Sequence, residues 1–135
     1  MRGGYPSPAA YMHLRDAADL SPMTSAQADS VAIGSWYGVV VTHDAANAVI
    51  GMSRVIGNGA WYAHIVDMAV LPGHQRIGLG DAILTALLKE IELKAPPGPY
   101  VNLVADAAGR NLYANHGFLE TAPRSVAMAK RYGSL

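Results

Sequence analysis

Cysteine is absent from this 135-residue chain. That one absence removes a disulfide framework, a thiolate nucleophile and any Cys-ligated metal. Charge is scarce too: 15% of residues are charged, and Lys+Arg 10 against Asp+Glu 10 give a formal net charge of +0. Such a balance carries no electrostatic footprint for nucleic acid or for an anionic membrane surface. No run of like charges and no low-complexity tract occurs. No apolar run reaches transmembrane length, and the opening "MRGGYPSPAAYMHL" has no signal-peptide core. These absences predict a soluble, cytoplasmic protein. What remains is a chain that is 51% hydrophobic. At this length it should bury about 68% of its unfolded surface, enough for one core. A single domain over residues 1–135 is expected.

The order of elements can be read along the chain. "AAYMHLRDA" reads as a first strand, and "SPMTSAQADSVAIGS" as a short helix opened by serine and proline. "WYGVVVTHD" is β-branched and aromatic, and "HDAAN" closes it as a turn. "AVIGMSRVIGNGAWYAHIVDMAVL" reads as two strands joined at "GNG", a hairpin signal. Beyond "PPGP" come a strand, "YVNLVAD", and a short helix, "AAGRNLYANHG", ended by Gly117. The tail "FLETAPRSVAMAKRY" reads as one or two strands around Pro123. Antiparallel strands followed by strand–helix–strand–helix make a mixed α/β sheet.

The stretch "LPGHQRIGLGDAILTALLKEI" holds the densest signal. Leu79, Ile83, Leu87 and Ile91 recur every four residues with Leu84 and Leu88 beside them, an apolar stripe at helical spacing. Asp81 in the first turn and Lys89 and Lys94 near the end suit the helix dipole. A helix starting near Gly78 leaves its first four N–H groups without internal partners. Gly78 and Gly80 clear the space before those donors, so a phosphate can approach them. Gln75 adds amide donors and Arg76 a fixed charge. Two other phosphate motifs fail. A P-loop needs Lys and then Ser or Thr after its second glycine, where Asp81 stands; a dinucleotide fingerprint needs a third glycine, where Ile83 stands.

"HIVDMAVLPGHQRIGLGDAIL" and "NLYANHGF" together resemble the GNAT superfamily of acyl-CoA-dependent N-acyltransferases, over roughly residues 36–130. Gln75, Gly78 and Gly80 match the fixed positions of its (Gln/Arg)-x-x-Gly-x-(Gly/Ala) motif; Leu112, Tyr113, Gly117 and Phe118 match its second hallmark. The resemblance implies a mixed, mainly antiparallel central sheet with helices on both faces. It implies acetyl-CoA as acyl-donor co-substrate, with no metal. Backbone groups of Met68, Ala69 and Val70 would pair with pantetheine. The N–H groups of Gln75, Arg76, Ile77, Gly78, Leu79, Gly80 and Asp81 would hold the pyrophosphate. Tyr113 would stand near the sulfur, with Asp106 and Asn111 completing the cofactor-binding set. Asp106 is a departure, since the family often has Asn in that slot.

The chemistry constrains the rest. An alkyl amine with a lysine-like pKa of about 10.4 is nearly all charged at neutral pH and must lose a proton before it can attack a thioester. A general base would help, and the departing thiolate can take a proton from a hydroxyl. His64 is one candidate base, at the place on the strand where several GNAT enzymes carry Glu or His; histidine is the side chain that titrates nearest neutrality. Asp67, a carboxylate inside "HIVDMAVL", is the rival. On a regular strand it would face away from His64, but GNAT fourth strands bulge hereabouts. Tyr113 is the candidate acid. Trp36, Tyr37, Arg54, Trp61 and Tyr62 are available to line an acceptor pocket, with no role assigned. His13, His43, His74 and His116 show no zinc-ligand spacing.

The expected activity is N-acetyl transfer to a primary amine, a small molecule given the neutral charge. "HIVDMAV" is also similar to the corresponding strand of glucosamine-6-phosphate N-acetyltransferases, but Val66 stands where those carry Glu. The other readings are a non-catalytic acyl-CoA-binding or sensing module on the same fold, and a scaffold domain. Expected partners are a small-molecule amine and a second copy in a homodimer, with no nucleic acid and no membrane.

Overall fold

The computed structural model describes residues 1–43 and 48–133. The turn expected at "HDAAN" therefore falls on residues 44–47, outside the described residues. Two compact units are present, Met1–Leu103 and a second from Val104 onward.

The first unit opens with a two-residue strand, β1 (Arg2–Gly3), and then a helix, α1 (Pro8–Ala17). The Ser7 side chain accepts a hydrogen bond from the Ala10 N–H at 3.2 Å, and Pro8 takes the first helical position, where its missing N–H is not needed. Tyr11, Leu14 and Arg15, three and four residues apart, form the buried face. This corrects the expectation of a strand over "AAYMHLRDA". The Ser-Pro start and the helical spacing of Tyr11, Leu14 and Arg15 make this segment a helix.

Helix α2 (Ser25–Asp29) forms where a short helix is expected and is shorter than its sequence signal. Its start is a capping box: the Gln27 N–H donates to Thr24 Oγ1 at 3.2 Å, and the Thr24 N–H donates to Gln27 Oε1 at 2.8 Å.

Strands β2 (Tyr37–His43), β3 (Ala48–Gly57), β4 (Tyr62–Val70) and β5 (Tyr100–Leu103) complete a sheet of order β1-β2-β3-β4-β5. All pairings are antiparallel except β4 with β5. At the expected β3–β4 hairpin, Asn58 Oδ1 accepts from the N–H groups of Ala60, Trp61 and Tyr62 at 2.9–3.1 Å. The parallel β4–β5 pair needs a crossover, which α3 (Leu79–Lys94) supplies.

Helices cover both faces. At Gly51 a side chain would meet Ile83 Cδ1 of α3 at 3.1 Å. The next residue, Met52, packs with Tyr11, Leu14, Ala28, Val31 and Ala69 on the opposite face. Ile83, Leu84, Leu87 and Ile91 are the buried face of α3, as the apolar stripe predicts. With helices on both faces, β2 and β3 are buried in unbroken runs, residues 38–41 and 50–53, and only the first half of β4 alternates.

The second unit holds a 3-10 turn (Ala107–Gly109) and helix α4 (Arg110–Asn115), with Gly117 at φ +87 just past its end. Beyond it the expected tail strands do not form. No described residue from 119 to 133 is in a strand. Pro123 has no N–H to give to a ladder, and a local turn joins the Ser125 N–H to the Thr121 carbonyl at 3.1 Å and Thr121 Oγ1 to the Ser125 carbonyl at 3.1 Å. Among the described residues no helix is long and apolar enough to cross a membrane.

Candidate active site

The turn after β4 carries the strongest signal in the sequence, and its geometry is specific. Pro72–His74 forms a 3-10 turn, Gln75 is extended, and Arg76 and Gly78 both take positive φ, +64 and +86. Gly78 is the residue before α3, in the left-handed region, and no side chain caps the helix there. A side chain at Gly78 would meet no heavy atom within 4 Å, so the approach to the helix start is open. Intrahelical pairing resumes only with the Ala82 N–H on the Gly78 carbonyl at 3.0 Å. The first-turn donors of the helix thus point along its axis toward the side on which Gly78 leaves room. Gln75 behaves differently from expectation: its Nε2 donates to the Val70 carbonyl at 2.9 Å, tying the turn back to the strand.

The strand leading into this turn has a bare edge. β4 pairs with β5 from Tyr62 opposite Tyr100 to Ile65 opposite Leu103, and no further. From Val66 to Val70 the β5-facing edge has no strand partner among the described residues. A bulge sits at the divergence. Arg54 lies opposite Val66 and Met52 opposite Ala69, so Ser53 faces two residues, Asp67 and Met68. Asp67 takes φ +60, and Ser53 Oγ donates to the Val66 carbonyl at 2.8 Å. Met68, Ala69 and Val70 continue the bare edge directly toward the helix start.

The bulge resolves the parity question for Asp67. Its carboxylate turns to the α1 face and accepts hydrogen bonds from Arg15 Nη1, Arg54 Nε and Tyr11 Oη, each at 2.6 Å. Only 8% of the Asp67 side chain is exposed, with 9% for Arg15 and 13% for Arg54. Arg15 is held further by the Ser21 carbonyl and Oγ, and Arg54 Nη1 donates to Ser35 Oγ at 3.0 Å. Burial, together with the hydrogen bond to Asp67, raises the Tyr11 hydroxyl above its ordinary pKa. A shallow, open cleft lies against this cluster, bordered by Tyr5, Pro6, Val31 and Met52 together with Tyr11, Ser53, Arg54 and Asp67.

His64 lies one residue before the last β4–β5 pair. Its Nδ1 is 2.5 Å from Asn102 Oδ1 on β5, and the Tyr62 hydroxyl donates to the same oxygen at 3.3 Å. His64 shares its sheet face with Val66 and hence with Arg54, which lies opposite Val66. Trp36, Trp61 and Tyr62 do not line the cleft at Asp67. They border a separate groove with Ile91, Ala95 and Pro99, at the far end of α3. That helix has 16 residues, so the groove is about 24 Å from the helix start.

In the second unit, Tyr113 is on α4 with its ring edge-on to Phe118, centroids 6.1 Å apart. Burial raises its hydroxyl pKa above the ordinary value, and the nearby charge of Asp106 adds to the shift. Asp106 precedes the 3-10 turn, and Asn111 is exposed in the first turn of α4.

Comparison with known proteins decides the family. Residues 35–120 match the family model Acetyltransf_7, the acetyltransferase (GNAT) domain. The chain belongs to the GNAT acetyltransferases.

Among relatives of this GNAT chain, the histone acetyltransferase TAP1 of Glycine max is 31% identical over 111 residues. The match takes in 79% of this chain and 47% of that relative, so the chain spans about half of its length. The solved structure of a protein of unknown function from meticillin-resistant Staphylococcus aureus superposes with a TM-score of 0.89 at 33% identity, covering 97% of this chain and 98% of that one. A protein described as a predicted acetyltransferase, solved with acetyl-CoA from Clostridium acetobutylicum, has a TM-score of 0.71 at 14% identity, covering 95% of this chain and 94% of that one, a likeness of fold.

Sequence reading misses several groups that the GNAT fold brings to its fourth strand. Tyr11 and Arg15 reach Asp67 from α1, and Asn102 reaches His64 from β5. The spacing of Tyr11 and Arg15 on one helical face is a readable signal, hidden by the strand assignment. Nothing local to Asn102 distinguishes it.

Proposed function

We propose that the chain transfers an acetyl group from acetyl-CoA to a primary amine of a small molecule by direct attack, with no covalent enzyme intermediate. One observation carries this reading: a strand edge without a strand partner, residues 66–70, runs into a helix start that has no side-chain cap and is opened by a left-handed glycine. An extended pantetheine arm finds the first kind of surface complementary, and a pyrophosphate the second. Fit favours acetyl-CoA, because Gly78 leaves open space and supplies no competing cap.

Backbone groups of Met68, Ala69 and Val70 would hold the pantetheine amides. The N–H groups of Ile77, Gly78, Leu79, Gly80 and Asp81 would face the pyrophosphate, with Gln75 and Arg76 beside it. When bound, acetyl-CoA supplies an activated acetyl thioester. His64 would accept the amine proton at Nε2, directly or through water, so that the nitrogen lone pair becomes available. Asp67 is poorly placed to share that task, since three donors already occupy its oxygens. Tyr113 would donate its phenolic proton to the departing thiolate, and its raised pKa keeps that proton on the oxygen at neutral pH.

A small-molecule acceptor is preferred to a histone tail, whatever the activity of the soybean relative. Ten acidic side chains balanced by ten basic ones give the chain no net negative charge to draw a strongly basic peptide. The test is a screen of amines with acetyl-CoA, following thiol release and confirming the acetylated product by mass. Thiol release that depends on the amine supports transfer. Acetyl-CoA binding without turnover on any amine would leave an acyl-CoA-binding module instead.

A further inference from the structure

We propose that Asn102 sets the tautomer of His64, placing the proton on Nδ1 and leaving the lone pair on Nε2. Asn102 is then a positioning residue for proton transfer, and the inference rests on the reading of His64 as proton acceptor.

The strand register comes first. His64 on β4 and Asn102 on β5 are direct partners in the parallel pair, and the pairing ends one residue later at Ile65 and Leu103. The imidazole is therefore fixed at the point where the two strands part. Its Nδ1 lies 2.5 Å from Asn102 Oδ1. A carbonyl oxygen can only accept, so the nitrogen facing it carries hydrogen. In a neutral imidazole that leaves Nε2 bare. The Tyr62 hydroxyl donates to the same oxygen at 3.3 Å.

Burial makes the choice of residue informative. Asn102 Nδ2 is buried without a hydrogen-bond partner. A buried donor left unpaired costs stability, and an apolar side chain of similar volume would avoid that cost. Asparagine at 102 carries that cost, and its one short contact is to His64. The neutral amide also suits a cycling base. When Nε2 takes a proton, the Nδ1–H bond to Asn102 persists, so nothing has to break. A carboxylate in the same place would favour the charged ring and hinder release of the proton.

The experiment is long-range proton–nitrogen NMR of 15N-histidine-labelled, ligand-free protein at a pH where the ring is neutral. The His64 signals are assigned by their loss in His64→Ala. The expected result is a protonated Nδ1 and a bare Nε2. In Asn102→Leu that preference should be lost, with kcat falling at least about tenfold, toward the 10²–10⁴ that a general base contributes. Asn102→Asp restores an acceptor and should restore the Nδ1–H form. A wild-type ring protonated on Nε2 overturns the proposal, as does an unchanged tautomer in a folded Asn102→Leu protein. The NMR result is independent of turnover. If the tautomer is as stated but His64→Ala keeps full activity, the reading of His64 as base fails and the tautomer assignment stands.

Discussion

Replacing Asp67 by Asn separates a structural clamp from a catalytic base. The substitution keeps the side chain's shape and removes its charge. In the folded protein the Asp67 carboxylate accepts three hydrogen bonds of 2.6 Å, from Arg15, Arg54 and Tyr11. Asparagine leaves two guanidinium groups, 9% and 13% exposed, without a counter-charge, and turns an amide N–H₂ toward groups that are themselves donors. Removing one partner of a buried ion pair costs about 3–5 kcal/mol. Against a total of about 5–15 kcal/mol for an ordinary domain, that is a large share. It corresponds to a fall in Tm of about 10–20 °C for a chain of this size. Urea unfolding measures it directly, with a lower midpoint and an unchanged slope. A loss below about 1 kcal/mol would refute the clamp. Were that small loss joined to abolished turnover, Asp67 and not His64 would be the base.

Four other perturbations have definite outcomes. Gly78→Val obstructs the helix start and strains a backbone at φ +86, costing about 1–3 kcal/mol; calorimetry on the folded variant should show acetyl-CoA affinity sharply reduced, and an unchanged affinity would remove the turn from the binding site. Tyr113→Phe keeps the ring and loses the proton, so kcat should fall by about 10² with KM for acetyl-CoA little changed; wild-type kcat with chemistry rate-limiting would make Tyr113 a packing residue. His64→Ala should lower kcat/KM by about 10² or more and flatten its fall at low pH, whereas a retained profile would exclude His64 as the base. Alkaline pH should destabilise the fold, because Tyr5, Tyr11 and Tyr113 all have pKa values raised above 10.0, with burial the largest cause in each. The unfolded phenols ionise first, so stability is intact below about pH 10 and declines as the pH rises past it. Unfolding midpoints that stay level from about pH 9 to about pH 11 would contradict this.

The legible parts of the fold are those written in local patterns. The α3 stripe, the "GNG" hairpin and Gly78 each announce their structure within a few residues, and each forms where expected. The first helix escapes a reading of "AAYMHLRDA" as a strand because its start signal, Ser7 followed by Pro8, lies just outside that window. The tail fails differently. Pro123 and the Thr121–Ser125 turn take the backbone away from an extended path, and a strand forms only where an edge pairs with it. The partners of the candidate site are beyond sequence reasoning. Tyr11 and Arg15 stand 56 and 52 residues from Asp67, and Asn102 stands 38 from His64, so only the folded chain brings them together. The bulge at Asp67 follows from the family resemblance, but the partners of its carboxylate, Arg15 on α1 and Arg54 on the neighbouring strand, do not.

Acetyl-CoA binding along the strand edge and helix start can be followed by a backbone amide NMR titration of the 15N-labelled protein with acetyl-CoA. Residues 66–70 on the bare edge of β4 and residues 77–81 at the start of α3 should show the largest shifts, saturating together as one site. Saturable shifts confined to the aromatic groove of Trp36, Trp61 and Tyr62, or no saturable shifts at all, would contradict binding at this site and the transferase reading built on it.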